Sequence, residues 1–235
     1  MKTAKQACNM DACLLCKLCQ PAWKPAIAAH KKNFNLKKGE MLFSEGDPVK
    51  GIYFIYEGRM KVHKHWGREK ELIVRFAGAG DIVGHRGIGT DLAYPVSATA
   101  LEASTVCYFD LDFFQSTLQV NTPLLYELMM FYARELQESE KRMRNLAHMP
   151  VKGRIAAALL HLEKKFGTEN GYINFPLTRQ DIASYIGTTY ETAWRMLQEL
   201  AKEGMISQDD KRYAVLDHEA MQAYILSQEE GDGPA

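Results

Sequence analysis

Between residues 34 and 110 the chain alternates short runs of strand-forming residues with glycine punctuation. Ile52-Tyr53-Phe54-Ile55-Tyr56, Met60-Lys61-Val62-His63 and Leu72-Ile73-Val74-Arg75-Phe76 are rich in β-branched and aromatic residues and bounded by turn residues. Gly58 and Gly67 mark hairpin ends, and Glu45-Gly46-Asp47-Pro48 has the composition of a tight turn. The pattern predicts a compact antiparallel barrel or roll. From Thr122 the period changes. Thr122 is placed to cap a helix with Pro123 at its first position, and Leu124, Leu128, Phe131, Leu136, Met143 and Leu146 recur through a stretch free of Gly and Pro as far as Pro150. One long helix is predicted. Its first half is apolar on nearly every side, as burial against the roll and against another subunit would require. Its second half, Gln137-Glu138-Ser139-Glu140-Lys141-Arg142-Met143-Arg144, is highly charged and fits either a solvated face or a weak, adjustable dimer seam.

A third block opens near Val151 with an apolar helix from Ile155 to Phe166 and a loop at residues 167–171. Thr178-Arg179-Gln180-Asp181 reads as a capping box starting a helix whose apolar face is Ile182, Ala183 and Ile186, and Gly187 ends it. Thr188-Thr189-Tyr190-Glu191 reads as a second box, opening a helix to about Lys202 with Ala193, Leu197 and Leu200 facing inward. Two helices joined by a Gly-containing turn form a helix-turn-helix. Met205-Ile206-Ser207, a turn at Asp209-Asp210 and Tyr213-Ala214-Val215 add a β-wing, and the tail, residues 228–235, is acidic, Gly-rich and expected to be disordered.

Composition narrows the function. The 235 residues are 46% hydrophobic, enough for a sizeable core and better suited to two domains than one. No stretch approaches the ~20 consecutive apolar residues of a membrane span. Lys and Arg total 29, as do Asp and Glu, so no global positive field argues for nucleic acid, and any DNA-binding reading must rest on local geometry. Four of the five cysteines, Cys8, Cys13, Cys16 and Cys19, crowd the start of the chain, and the fifth is Cys107. No apolar core of a secretory signal precedes them, so a cytoplasmic protein is expected, and in that reducing compartment clustered thiols hold a metal or do redox chemistry more often than they form structural disulfides.

The inward set Ala193, Leu197 and Leu200 sends Tyr190, Glu191, Trp194 and Arg195 outward from the first two turns of their helix. A helix of this kind lies in the major groove with its N-terminal residues at the base edges. Arg offers two donors to guanine O6 and N7 and Glu accepts from cytosine N4, each good pair giving about 1–3 kcal/mol of discrimination. Arg179 and Thr189, at the starts of the two helices, join the expected DNA-contacting set. The competing reading of Glu191 and Arg195 is a surface ion pair at i,i+4, worth about 0.3–0.5 kcal/mol. Acidic residues outnumber basic ones from Pro150 onward, which favours weak binding by a monomer and a need for two half-sites.

Roll, long helix and winged helix-turn-helix in this order resemble the cyclic-AMP receptor protein superfamily, over nearly the whole chain. The sequence is most similar to the FNR branch, the fumarate and nitrate reduction regulators that sense oxygen through an iron–sulfur cluster. The resemblance rests on Gly80-Asp81-Ile82-Val83-Gly84 with Ile88-Gly89, on Ala100-Leu101-Glu102-Ala103-Ser104-Thr105-Val106-Cys107, and on Thr189-Tyr190-Glu191-Thr192-Ala193-Trp194-Arg195. It implies an α+β fold: a Cys-rich segment at 1–30, a jelly-roll sensor domain of cyclic-nucleotide-binding type at 31–120, a dimerisation helix at 121–149, a winged helix-turn-helix at 150–227 and a tail at 228–235. Cyclic-AMP binders carry a Gly-Glu pair for the ribose and an Arg for the phosphate. Here Gly84 is followed by His85 and residues 94–99 contain no Arg, so no cyclic nucleotide is expected.

The resemblance implies a [4Fe–4S] cluster. Cys13-x2-Cys16-x2-Cys19 has the spacing that wraps cluster corners, Cys19-Gln20-Pro21 resembles the closing Cys-x-Pro of the family segment, and Cys107 stands where the family places its distant fourth ligand. Cys8 matches an additional upstream cysteine. The family commonly leaves a longer gap before its third N-terminal Cys, so Cys8 is a substitute for Cys13 or Cys16. A Zn2+ site with four thiolates, or a dithiol switch without a metal, is the rival reading of the same residues, and an iron–sulfur electron-transfer protein is the alternative of another class. His30 and His85 are the histidines to watch as ligands. A homodimer is implied, with Met130, Gln137, Glu140 and Arg144 at its seam and the two Glu140 copies repelling. It implies weakening of that dimer by oxygen or nitric oxide, an inverted repeat with TTGA-like half-sites, contact with RNA polymerase, and no catalytic activity. Tyr190 and Trp194 depart from the small residues typical of FNR proteins, and Trp194 is as well suited to packing as to base contact.

Overall fold

The computed structural model describes residues 2–3, 13–67 and 70–229, divided into two compact units, Met1–Glu135 and Leu136–Ala235. The division falls inside one long helix, so each unit is described by itself.

The first unit runs β1 (Lys2–Thr3), α1 (Leu14–Leu18), a 3-10 turn at Pro21–Trp23, α2 (Lys24–His30), β2 (Lys32–Leu36), β3 (Met41–Phe43), β4 (Gly51–Glu57), β5 (Met60–Trp66), β6 (Lys70–Ala77) and β7 (Ile82–Val83). A 3-10 turn at His85–Gly87, β8 (Ser97–Ala100), β9 (Ser104–Asp110), α3 (Leu111–Val120) and the start of α4 (Thr122–His148) complete it. The strands make two antiparallel sheets, ordered β1-β2-β9-β4-β7 and β3-β8-β5-β6. This is the expected roll. The continuous apolar run in β4 has a simple cause, because both faces of its sheet are covered. Tyr53 and Ile55 point between the sheets with Val62, Ala98 and Val106, whereas Ile52 and Phe54 point outward under the helices with Cys107 and Phe109.

Gly67 does close a paired hairpin, β5 with β6. Gly58 does not: β4 pairs with β7 and β9, β5 pairs with β6 and β8, and Gly58 turns the chain from one sheet into the other. It adopts φ +93°, and a Cβ there would stand 2.7 Å from Ser104 Cα, so only glycine fits the corner. Helices α1, α2 and α3 lie in stretches that the hydrophobic pattern did not mark as helical. Thr122 is the first residue of α4 rather than its cap, and Asn121 occupies the preceding position, its carbonyl accepting from Leu125 N–H. On α4, Leu124 and Leu128 are buried in the core that contains the cysteines.

The second unit contains the rest of α4, α5 (Val151–Phe166), β10 (Thr168–Glu169), β11 (Tyr172–Ile173), α6 (Arg179–Ile186), α7 (Tyr190–Lys202), β12 (Ile206–Asp209), β13 (Arg212–Val215) and α8 (His218–Glu229). The Thr178 box is present: Thr178 Oγ1 accepts from Asp181 N–H and Asp181 Oδ2 accepts from Thr178 N–H. Gly187 ends α6 at φ +68°, the left-handed cap. The second cap is a single one, shifted by a residue, with Thr189 Oγ1 accepting from Thr192 N–H at 3.3 Å. β12 and β13 form the wing. The expected tail starts inside α8, which holds Gln228 and Glu229 in helix; residues 230–235 lie outside the described residues.

Candidate metal centre and nucleic-acid interface

Cys13 caps the N-terminus of α1, Cys16 lies within it and Cys19 caps its C-terminus, so one turn and a half of helix presents all three thiols. Cys107 arrives on β9, opposite Phe54 on one side and Asn33 on the other, with its side chain on the outer, helix-covered face of the sheet. None of the four is in a disulfide, and all are buried, at 7%, 1%, 5% and 2% exposure. They share one apolar cluster with Leu15, Ile27, Phe113 and Leu124. Cys13 and Cys107 line a single cavity of about 110 Å³ with Phe54, Tyr56 and Gly80. Cys8 lies outside the described residues.

The thiols are electrostatically unequal. A hydrogen bond with Cys16 outweighs burial and lowers the Cys13 thiol to about 7, whereas burial and the neighbouring Cys13 charge push Cys19 up to about 11. Four buried thiols with no disulfide among them are a donor set for a soft metal. Four sulfurs around one zinc ion at ~2.3 Å would stand about 3.8 Å apart. Four thiolates of this kind hold either a zinc ion or the corners of an iron–sulfur cluster.

Directly after Cys19 the chain is fastened to the last turn of α3 and to Asn121, the residue before α4. Gln20 N–H donates to Asn121 Oδ1 at 2.8 Å, Gln20 Nε2 donates to Val120 O at 3.2 Å, and Trp23 Nε1 donates to Thr117 Oγ1 at 3.1 Å. Sequence reading missed these residues; an Asn ahead of the long helix and a Gln after the last clustered Cys are the signal it had. Neither watched histidine joins the thiols. His30 stacks on Phe113 at 4.2 Å, and His85 is buried against Phe131 and Tyr132, where burial takes its ring down to about 3.

In the second unit Ala193, Leu197 and Leu200 are fully buried, Glu191 and Arg195 are exposed on the opposite face of α7, and Tyr190 is exposed at its first position. Among the described ion pairs none joins Glu191 to Arg195, which leaves both side chains directed outward. Trp194 is half-buried, and the Arg179 guanidinium lies 3.7 Å above its ring. Thr189 is exposed at the helix start. The far half of α4 is tied to this unit by Arg142, which donates to Tyr185 O at 2.9 Å and covers the Tyr185 ring.

Of the residues expected at a dimer seam, Met130 is half-buried and Gln137, Glu140 and Arg144 are exposed. Tyr126 and Met129 of α4 are exposed in the first unit, as are Leu136 and Met143 in the second, and in the sequence these four and Glu140 stand at heptad spacing.

The Crp-like helix-turn-helix domain family matches residues 153–224 and the cyclic nucleotide-binding domain family matches residues 33–121. The chain is 30% identical over 204 residues to the transcriptional activator protein anr of Pseudomonas aeruginosa, covering 86% of this chain and 83% of that one. It is 28% identical over 190 residues to the transcriptional activator protein FnrA of Stutzerimonas stutzeri, covering 80% and 78%. Among solved structures, FixK2 from Bradyrhizobium japonicum superimposes with a TM-score of 0.75 at 21% identity, covering 82% of this chain and 96% of that one, a likeness of fold.

Proposed function

The chain belongs to the CRP/FNR superfamily of DNA-binding transcription regulators, in its FNR-type branch, and on that premise we propose that its dimerisation and promoter binding are governed by a [4Fe–4S] cluster on Cys13, Cys16, Cys19 and Cys107. The observation that carries this reading is the convergence of three cysteines from one short helix and a fourth from β9 in one buried, disulfide-free apolar cluster. Such a cluster supplies sensitivity to oxygen or nitric oxide. The protein's own residues do the rest. The apolar wall of Phe54, Phe113 and Leu124 limits water at the thiolates. Gln20 and Trp23 pass the position of the cysteine loop to Asn121 and Thr117 at the root of α4. The helix then sets whether two copies associate through the Tyr126, Met129, Leu136 and Met143 stripe, against the repulsion of paired Glu140 side chains. A seam with a charge in it gains little from burial, so a small bias at its root decides association.

The dimer places two α7 helices about 34 Å apart on an inverted repeat. Arg195 reads guanine and Glu191 reads cytosine in a TTGA-like half-site, and Tyr190 and Thr189 lie at the edge of the contact. Trp194 holds Arg179 in place rather than reading a base. RNA polymerase is the protein partner and the cytoplasm the compartment; none of the described helices is long and apolar enough to cross a membrane. With no Arg in residues 94–99, the roll has no phosphate partner for a cyclic nucleotide there.

The test is anaerobic purification with iron and sulfide analysis. Broad thiolate-to-iron absorption that bleaches in air, together with operator binding that is lost on bleaching, supports the reading. Colourless protein whose zinc is lost in Cys107→Ser would overturn it.

A further inference from the structure

The β5–β6 hairpin brings together a second set of metal-binding side chains, on the other sheet from the cysteines. His63 and His65 are two apart on β5 and so face the same way. Glu71 reaches them from β6, where it stands directly opposite His65. The register slips between Val62 and His63, with Val62 opposite Arg75 but His63 opposite Ile73. A bulge of this kind re-aims side chains. Here it leaves one donor atom from each of His63, His65 and Glu71 within 4.8 Å of one another.

We propose that His63, His65 and Glu71 form a binding site for a divalent first-row transition ion of the zinc type, independent of the cysteine centre. Bonds of about 2.0–2.1 Å in a tetrahedral arrangement set donors about 3.3 Å apart. His63 Nδ1 lies 2.9 Å from Glu71 Oε1, and His65 Nε2 lies 3.9 Å from the same oxygen, so the two distances straddle the required one. His63 is nearly fully buried, and its Nδ1 makes no well-aligned hydrogen bond despite that proximity. The outer partners of a metal site are in place as well. The other ring nitrogen of His63, Nε2, is 2.9 Å from Thr99 Oγ1, and the second carboxylate oxygen of Glu71 accepts from Lys61 Nζ at 2.8 Å. These contacts fix the His63 ring and direct Oε1 toward the imidazoles. Two imidazoles and one carboxylate suit zinc or its neighbours better than calcium or magnesium, which prefer oxygen alone. His65 is exposed, so the fourth position opens to water and the ion can exchange. The nearby Lys61 ammonium weakens the site by charge repulsion, which suits reversible occupancy more than a permanent structural ion.

The test is titration of the full-length chain with Zn2+, and separately with Co2+, in wild type and in His65→Ala, Glu71→Gln and Cys107→Ser. His65 is exposed and its replacement leaves the fold intact, so it guards against loss of binding through misfolding. One equivalent of Zn2+ should vanish in His65→Ala and Glu71→Gln and persist in Cys107→Ser, with Co2+ at that equivalent giving ligand-field bands free of thiolate charge transfer. Unchanged stoichiometry in His65→Ala, or cobalt bands of thiolate type alone, would overturn the site. A failure of the cluster reading would show in the iron and sulfide of the Cys107→Ser protein and leave this equivalent untouched.

Discussion

Asn121 Oδ1 accepts the backbone N–H of Gln20 at 2.8 Å, so the residue after the last clustered cysteine is held by the residue before the long helix. Asn121 is fully buried and its Nδ2 donates to Thr117 O at 2.8 Å, while Thr117 Oγ1 receives Trp23 Nε1 and donates to Phe113 O. The side chain cannot move without breaking one of these bonds. Asn121→Ala should cost about 1–3 kcal/mol, the range for leaving buried partners unsatisfied. It should also narrow the difference in dimer fraction between anaerobic and air-exposed protein. Sedimentation under both atmospheres reads this directly, and an undiminished difference would show that the signal takes another path.

Cys107 is separated from the other thiols in sequence by most of the roll, yet shares their cluster. Cys107→Ser is close to isosteric and should fold, but should lose anaerobic iron and its absorption. Cys8→Ser should retain both. The reverse pattern, measured by iron content after anaerobic gel filtration, would reassign the ligands.

Arg195 and Trp194 separate specificity from affinity. Arg195→Ala removes the proposed guanine contact and should cost about 1–3 kcal/mol on the operator with little change on scrambled DNA. Trp194→Ala frees the Arg179 guanidinium from its ring and should weaken operator and scrambled DNA by similar factors. Titrations of both duplexes at two salt concentrations distinguish the outcomes, and loss of discrimination in Trp194→Ala would mean that the ring reads a base.

The roll and the helix-turn-helix were legible because short β-branched and aromatic runs between turn residues, and the Thr178 box, act locally, within a few residues. Gly58 misled because a glycine with φ +93° looks the same in sequence whether it closes a hairpin or turns a corner between sheets. That distinction is made by the partners β8 and β9, far along the chain. Helices α1 to α3 were missed for a related reason: at 5, 7 and 10 residues they are too short for a helical period to show, and burial in the core beside β4 and β9 supplies what periodicity lacks. The cysteines were visible at once, but Cys107 joined them through family resemblance, and the Gln20–Asn121 bond spans a hundred residues. His63, His65 and Glu71 were invisible as a group because a bulge, not a spacing, brings them together.

His85 gives the first unit an acid-sensitive stability. Its ring is buried against Phe131 and Tyr132 of α4, with Arg75 of β6 and Arg86 beside it and Glu135 of α4 bridging toward both arginines. Burial first, then the two guanidinium charges, lower the ring from its ordinary 6.5 to about 3. Between those values the unfolded chain binds a proton that the folded chain refuses, so stability rises with pH across the window. The contribution is complete above pH 6.5 and declines below it, by up to ~1.4 kcal/mol per pH unit. His85→Leu keeps the apolar contacts and the backbone carbonyl that accepts from Tyr132 Oη, and removes the titrating ring. Urea unfolding at pH 7 and pH 5.5 should therefore show a smaller acid loss in His85→Leu than in the wild type. Equal losses in the two proteins would mean that the imidazole is not the source of the acid sensitivity.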